Sequence, residues 1–273
     1  MTKNNNLKVK LEKIKKSKIN PREIKNFNEL IDEMIKNIGN PDPILRDDLI
    51  YSLLANWIIS GHIDDKSKKY ILNKLISEEN LFYKIDAKED VSIFKRSFSV
   101  LMIPSLIYSH RQKSYLTKSE VREAFNAVCK YFALENDLRG YIKSNGWAHS
   151  AAHTADALDE LALCKELDKI DLEEILDLIK NKISNNSYIF INEEDERMCT
   201  TVESVMSRNL LSDDHINSWL ESFYTIFSKT TFPDNYIIKM NQKSFLRSLY
   251  FRFLEKDKIT SEKIHEILKK INS

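Results

Sequence analysis

The stretch RGYIKSNGWAHSAAHTADALDE, residues 139–160, is the most informative part of this chain. Its second half is rich in alanine, the residue with the highest helix propensity, and it predicts a helix over residues 147–166. We place His149 at zero on a helical wheel of about 100 degrees per residue. The polar side chains within about 40 degrees of it are His153, Asp156 and Glu160. The opposite side is apolar, so the pattern predicts an alanine seam packed on another helix and a polar face in front.

Outside this stretch the chain also predicts helices. Four glycines and five prolines in 273 residues are few, because sheet proteins use more of both in tight turns. Apolar residues recur at helical spacing along most of the chain. The predicted helices cover residues 27–38, 44–60, 64–76, 91–110 with an interruption before Pro104, 118–134, 147–166, 171–183, 193–209, 213–227, 241–254 and 261–271. Tyr188 to Ile191 resembles a strand, but one run cannot form a sheet, so we interpret it as a helix-packing segment.

The helices recur in pairs about every 35–50 residues, which favours a helical-repeat architecture. Residues 39–54 look like a HEAT-type unit, in which the Asp42-Pro43 turn starts the second helix and Arg46 can pair with a neighbouring repeat. Other segments match that unit poorly. We therefore predict an all-α fold, an irregular HEAT-like α-solenoid or helical array of paired antiparallel helices. It forms one domain over residues 27–273, after a basic leader over residues 1–26 that is helical or partly disordered.

Composition limits the classes of partner. The chain is 42% hydrophobic and 30% charged, and its net charge is +1, so no global field indicates nucleic acid or acidic membranes. The N-terminus lacks the apolar core of a signal peptide, and no window of about 18 apolar residues predicts a membrane span. Three widely separated cysteines indicate reduced, buried thiols rather than a zinc ribbon. These patterns predict a cytoplasmic protein without a membrane partner; the oligomeric state stays open.

Two imidazoles four residues apart on a helix have the spacing that metal sites use. Together with a carboxylate they suit zinc or iron, so His149, His153 and Asp156 are candidate metal ligands. The residue after His149 is Ser150, however, so the zinc-protease signature is absent. The same face can equally be an ordinary polar face that binds a neighbouring helix or solvent.

The residues before the helix have two possible roles. Asp137 and Arg139 can brace the loop through charge-assisted hydrogen bonds, or Arg139 can bind an anionic ligand. We interpret Trp147 as a core anchor rather than a stacking platform. The candidate binding groove comprises Arg139, Trp147, His149, His153, Asp156 and Glu160.

The residues DLRGY, 137–141, and GWAHSAAHTAD, 146–156, resemble an uncharacterised bacterial family, domain of unknown function 2785. The likeness extends through short motifs at residues 43–47, 91–98, 194–197 and 245–250. The resemblance implies a soluble, all-helical protein and supplies no established activity.

We consider three functions. The first is a ligand- or protein-binding module with a polar groove around His149, His153 and Asp156, whose protein or small-molecule ligand is unknown. The second is a metal-dependent hydrolase or oxygenase that uses the two histidines as ligands. The third is a HEAT-like nucleic-acid binder that uses the basic leader, against which the neutral net charge argues.

Overall fold

The computed structural model of the protein describes residues 3–272, with side chains from residue 6 onward. Residues 1, 2 and 273, which the predicted leader and domain include, lie outside the described residues. In the described part of the chain, the regular secondary structure is helical apart from one two-stranded hairpin. The helices are α1 (Lys3–Ser17), α2 (Phe27–Lys36), a π-helical segment (Ile44–Tyr51), α3 (Ser52–Ile59), α4 (Asp65–Leu75), α5 (Ile93–Gln112), α6 (Lys118–Leu134), α7 (Ser150–Ala162), α8 (Lys169–Ile183), α9 (Glu194–Ser207), α10 (Asp213–Ser228), α11 (Asp234–Phe253) and α12 (Lys258–Asn272), with a 3-10 turn at Pro21–Glu23. The strands are β1 (Tyr141–Ile142) and β2 (Gly146–Trp147).

The contacts divide the chain into two compact units, Met1–Ala157 and Leu158–Ser273. The division falls inside α7. The single domain predicted over residues 27–273 stays a prediction. No helix among the described residues is long and apolar enough to cross a membrane.

In the first unit, α1 lies within the predicted basic leader. Its apolar side chains Leu7, Leu11 and Ile14 are buried, while most of its lysines are exposed. Lys8 Nζ also donates to Asp42 Oδ2 at 2.6 Å. These contacts pack α1 on the first unit as an amphipathic helix.

The long helix α5 continues through Pro104, so the predicted interruption there is wrong. A proline removes one backbone hydrogen bond and costs about 3 kcal/mol inside a helix. Around it Met102, Ile103, Leu106 and Ile107 are all buried. Tertiary packing of this kind contributes more to helix formation than local propensity, which explains why the helix persists.

Capping residues define several helix starts. Thr117 and Glu120 form the predicted capping box of α6, and Ser212 accepts the backbone N–H of His215 at the start of α10. The cap predicted at Ser261 is wrong, because α12 begins at Lys258. Asp257 caps it instead and accepts the backbone N–H of Thr260 at 3.1 Å.

The second unit shows two departures from the sequence prediction. Helix α11 begins at Asp234, seven residues earlier than predicted, directly after Pro233. Pro233 occupies the N-cap position, and the N–H it lacks costs no helical hydrogen bond, because the first N–H groups of a helix have no partner within it. Tyr188 to Ile191 is neither strand nor helix, and Phe190 donates its backbone N–H to Asn241 Oδ1 at 2.9 Å.

Arg208 caps the C-terminal end of α7, a contact that the sequence did not predict. The guanidinium of Arg208 donates to the backbone oxygens of Ala162, Cys164 and Leu167 at 2.5, 2.7 and 3.0 Å. Unpaired carbonyls at a helix end carry a partial negative charge, so a cation there is stabilising. Helix α7 therefore ends four residues earlier than predicted.

Candidate functional site

Trp147 lies on a strand, so the predicted helix start at this residue is wrong. Strands β1 and β2 pair antiparallel, with Tyr141 opposite Trp147 and Ile142 opposite Gly146. Gly146 has φ +86° and His149 has φ +51°, both outside the right-handed helical region. Helix α7 therefore begins only at Ser150. An Asn-Gly pair is a strong hairpin signal, and Asn145-Gly146 was the local sign of this turn.

The hairpin is anchored from below by Arg46, which is fully buried. Its Nη2 donates to Asn145 O at 2.7 Å, and its Nη1 donates to Asn40 O at 2.9 Å. Its Nε lies 2.6 Å from Asp47 Oδ1. The sequence predicted that Arg46 pairs with a neighbouring repeat. In the structure it pairs with Asp47, the next residue in sequence, and with two backbone oxygens. A Cβ on Gly146 would lie 3.1 Å from Arg46 Nη2, so the backbone approaches the guanidinium closely.

Burial shifts the pKa values of the two partners in this ion pair in opposite directions. It lowers the pKa of Arg46 and raises the pKa of Asp47, because it disfavours both charged forms. The guanidinium also lies 4.0 Å from the ring centroid of Phe94 and 4.6 Å from that of Phe98. Cation–π contacts and hydrogen bonds offset part of the cost of burying this charge and connect Arg46 to the hairpin.

A continuous row of aromatic rings, here called the ring row, connects the hairpin to the interior of the first unit. The indole of Trp147 stacks on the imidazole of His149 with centroids 5.1 Å apart and an interplanar angle of 29°. His149 contacts His153 edge-on at 5.7 Å, and His153 contacts Phe98 at 5.5 Å. At the outer end Tyr141 contacts Trp147 at 5.1 Å.

The exposure of the ring row falls steadily from the outer end to the inner end. Tyr141 is 59% exposed and Trp147 is 42% exposed, whereas His149 is half-buried and His153 is 8% exposed. The interpretation of Trp147 as a core anchor is therefore wrong. Tyr141 was absent from the candidate site, because only the strand register places it opposite Trp147.

His153 is held by a backbone contact. Its Nδ1 lies 3.3 Å from Ser97 O, and since a carbonyl only accepts, Nδ1 carries the proton in this contact. In the neutral form of the imidazole, Nε2 is then the nitrogen that can accept a hydrogen bond. The two imidazoles do adjoin, but through the bend at His149 rather than through successive turns of one helix.

The other predicted groove residues lie at different places. Asp156 is half-buried one turn beyond His153 on α7, and Glu160 is half-buried on the part of α7 that belongs to the second unit. Arg139 is paired: its Nε and Nη2 donate to the two oxygens of Asp137 at 2.8 and 2.6 Å. The hydrogen bonds that Arg139 donates to Asp137 raise the pKa of Arg139. This geometry is the bracing role that the sequence left open beside anion binding.

A buried ion pair supports the loop before α7. Arg96 and Glu135 are both buried and form two hydrogen bonds, Nε to Oε2 at 2.6 Å and Nη2 to Oε1 at 3.1 Å. Glu135 Oε1 also accepts the backbone N–H of Asp137 at 2.9 Å, and Ser150 Oγ donates to Asp137 O at 2.7 Å. Arg96 on α5 therefore pairs with an acid at the end of α6.

Metal-ligating side chains are sparse in the part of the chain that the structure describes. Among these residues no three or more His, Cys, Asp and Glu side chains form a group able to hold a metal ion. The acids that open α9 have partners in the second unit: Asp195 Oδ2 accepts from Ser244 Oγ at 2.7 Å, and Glu196 pairs with Arg252 at 2.6 Å.

The sequence model of a family described as a protein of unknown function, DUF2785, matches residues 81–251. The matched region contains the hairpin, α7 and the buried Arg96–Glu135 pair. No curated protein matches the chain. No solved structure matches it.

Proposed function

Because the chain belongs to the DUF2785 family, whose function is unknown, we propose its function from the geometry of the ring row: it is a binding module for a polypeptide. The observation that carries this proposal is the exposed pair Tyr141 and Trp147, held on a hairpin that the buried Arg46 anchors. Large aromatic side chains that stay exposed in a fixed position are typical centres of protein interfaces.

Preorganisation supports this proposal. A binding surface loses less conformational entropy on association when its side chains are already ordered. Trp147 is ordered by stacking on His149, which in turn contacts the buried His153. The outer rings therefore present apolar area at little entropic cost.

The surroundings of the rings have the composition of an interface rim. Lys143 is exposed at the tip of the hairpin, and Asn145, Arg139 and Asp156 are half-buried polar residues nearby in sequence. Interfaces combine an aromatic centre with a polar rim that supplies hydrogen bonds. Of the predicted groove residues, Arg139 and Asp156 enter the proposal as part of this rim; a small-molecule ligand stays a second prediction.

Selection of peptides tests the proposal. A phage-displayed library of random short peptides is selected on the purified protein, and the affinity of each enriched peptide is measured by titration. We expect Trp147→Ala to weaken binding about 30-fold or more, because truncation of a hot-spot tryptophan costs at least about 2 kcal/mol. Tyr141→Ala acts in the same direction.

A matched control distinguishes the ring row from any exposed aromatic. Tyr108 is 38% exposed on α5, so Tyr108→Ala removes a comparable side chain elsewhere in the first unit. This variant keeps full affinity if the proposal holds. Enriched peptides that bind Trp147→Ala and Tyr141→Ala as tightly as the unchanged protein, or a selection that enriches no peptide, contradict it.

The finer predictions from the sequence remain predictions. They are the irregular HEAT-like arrangement, the cytoplasmic location, and the metal-dependent and nucleic-acid-binding alternatives. In support of the metal alternative, a backbone carbonyl orients His153, as is common for ligating imidazoles. The proposed function does not include a metal ion.

A further inference from the structure

Helix α11 in the second unit presents an exposed stripe of apolar and cationic side chains. The α11 stripe consists of Tyr236, Met240, Lys243, Arg247, Phe251 and Leu254. These positions recur at intervals of three or four residues, so they lie on one side of the helix over about 27 Å. The opposite side carries the buried residues Ile238, Phe245 and Leu249, which pack in the second unit.

The apolar members of the stripe protrude from the surface. Phe251 is 70% exposed and Tyr236 is 54% exposed, and Met240 and Leu254 are exposed as well. Protruding side chains of this size are a poor fit for a rigid partner, which would need a matching pocket for each one. A lipid interface accommodates them without such pockets.

The charge of this helix is mainly positive. Apart from Asp234 at its first position, α11 contains no Asp or Glu, and it carries four cations, Lys239, Lys243, Arg247 and Arg252. Arg252 pairs with Glu196 and Glu203. Within residues 6–272, the remaining cations, Lys239, Lys243 and Arg247, form no ion pair with a carboxylate.

The three unpaired cations also lie close enough to repel one another. Burial lowers the pKa of Lys243, and the charges of Arg247 and Lys239 lower it further. In the same unit, Lys263 and Lys270 on α12 have a carboxylate partner in Glu221. An anionic partner would relieve the repulsion on α11.

We propose that the α11 stripe binds the surface of an anionic lipid bilayer. The cations contact the headgroups, while Tyr236, Met240, Phe251 and Leu254 enter the interface between headgroups and acyl chains. This is a peripheral contact and requires no membrane span. It departs from the sequence prediction of no membrane partner, because the net charge of the whole chain hides a local cluster of cations.

Vesicle sedimentation tests the proposal with the full chain. The protein is mixed with phosphatidylcholine vesicles that contain phosphatidylserine, and separately with vesicles of phosphatidylcholine alone. We expect sedimentation with the anionic vesicles only, and a bound fraction that falls as salt is added. The Lys239→Gln/Lys243→Gln/Arg247→Gln variant weakens binding on the order of 100-fold, since each cation near an anionic surface contributes about fivefold.

Matched controls separate the stripe from general charge and general hydrophobicity. Lys10→Gln/Lys13→Gln/Lys16→Gln removes the same charge from the exposed side of α1 and leaves binding within a few-fold of the unchanged protein. Phe251→Ser weakens binding about tenfold, whereas Ile170→Ser, at an equally exposed position on α8, has no effect. Circular dichroism and thermal unfolding verify that all variants remain folded.

Three outcomes overturn the proposal. The first is sedimentation with anionic vesicles no greater than with phosphatidylcholine alone. The second is an equal loss in the α1 and α11 charge variants. The third is binding of soluble polyglutamate that depends on the α11 cations while vesicle binding is absent, which assigns the stripe to an acidic polypeptide instead.

Discussion

At the scale of single residues, buried charges decide the geometry around α7. Arg46 holds the hairpin through Asn145, and Arg96 holds Glu135, which in turn accepts the backbone N–H of Asp137. Buried ions are costly unless every donor is matched, so each of these arginines has several acceptors. The ring row depends on them, because Arg46 holds the hairpin and the Arg96–Glu135 pair holds the loop before α7.

Removal of Glu135 leaves the charge of Arg96 buried without its partner. We expect Glu135→Ala to lower the free energy of unfolding by about 3 to 5 kcal/mol, measured by urea denaturation. Glu78→Ala is the control, since its ion pair with Lys130 lies at the surface and contributes at most about 1 kcal/mol. Equal losses of unfolding free energy in the two variants would show that the buried ion pair stabilises the protein no more than the surface pair does.

The metal prediction is tested at the same scale. It requires that protein purified without a histidine tag contains metal, and that His149→Ala/His153→Ala lacks it. A control variant, His215→Ala/His265→Ala, removes two histidines of the second unit and retains the metal. Elemental analysis that finds the same content in the unchanged protein and in the first variant removes the two imidazoles as ligands.

At the scale of elements, close approach and surface charge constrain individual helices. Gly39 follows α2 and lies against the start of α5, where a Cβ would be 2.3 Å from Lys95 Cα. In the second unit, Glu221 on α10 accepts from Lys263 and Lys270 on α12. The first contact is steric and independent of pH, and the second depends on ionisation.

Gly39→Ala forces backbone atoms apart. We expect it to lower the free energy of unfolding by about 3 kcal/mol, at the upper end of the cost of overpacking. Gly61→Ala serves as the comparison: Gly61 has φ +69° and open space around it, so only backbone strain of about 1 kcal/mol applies. A smaller loss for Gly39→Ala than for Gly61→Ala, in urea titrations, contradicts the steric argument.

Glu221 makes the contact between α10 and α12 sensitive to acid. Hydrogen bonds from Lys263 and then Lys270 lower the pKa of Glu221. A lowered folded-state pKa adds stability above the unfolded-state pKa, and this stability is lost as the pH falls through the lowered value. The protein is therefore more stable than Glu221→Gln at neutral pH, and the difference disappears as the pH falls below the ordinary pKa of a glutamate and through the lowered pKa of Glu221.

Denaturation of both proteins across this pH range measures the difference. Glu255→Gln is a suitable control, because Glu255 is exposed and forms no ion pair with another described residue. A difference between Glu221→Gln and the unchanged protein that persists unaltered in acid excludes ionisation of Glu221 as its cause.

At the scale of the whole molecule, the three cysteines report on packing. Cys129, Cys164 and Cys199 are free and buried, as the sequence predicted. Burial raises the pKa of Cys199 well above its ordinary value, so the reactive thiolate is disfavoured. Cys129 lies in the first unit, and Cys164 and Cys199 lie in the second. The reactivity of the three thiols therefore measures how well each unit excludes solvent from its interior.

We expect none of the three thiols to react with Ellman's reagent in the native protein. All three react after denaturation, because unfolding exposes them. The measurement is the absorbance of the released thiolate with and without guanidinium. Rapid reaction of one thiol under native conditions indicates local opening around that cysteine, and single Cys→Ser variants identify which one.

The helical class followed from local features that each segment carries in its own residues. Apolar residues at helical spacing, capping residues such as Thr117 and Ser212, and few glycines predicted an all-helical chain, which the described residues confirm. Helix starts failed where local signals conflicted. Alanine-rich sequence favoured a helix from Trp147, but the Asn145-Gly146 turn and the bend at His149 delayed it to Ser150.

The residue types of the candidate site were readable in the sequence, and their arrangement was not. Two histidines four residues apart indicated adjacent imidazoles, and these rings do lie 5.7 Å apart. No local pattern placed Tyr141 opposite Trp147, or Arg46 beneath Asn145, 99 positions later. The spacing of side chains along one helix depends only on backbone geometry, so the sequence determined it. Contacts between distant segments depend on which packing pairs the buried charges and buries the apolar area at the same time. Only the tertiary structure decided those contacts.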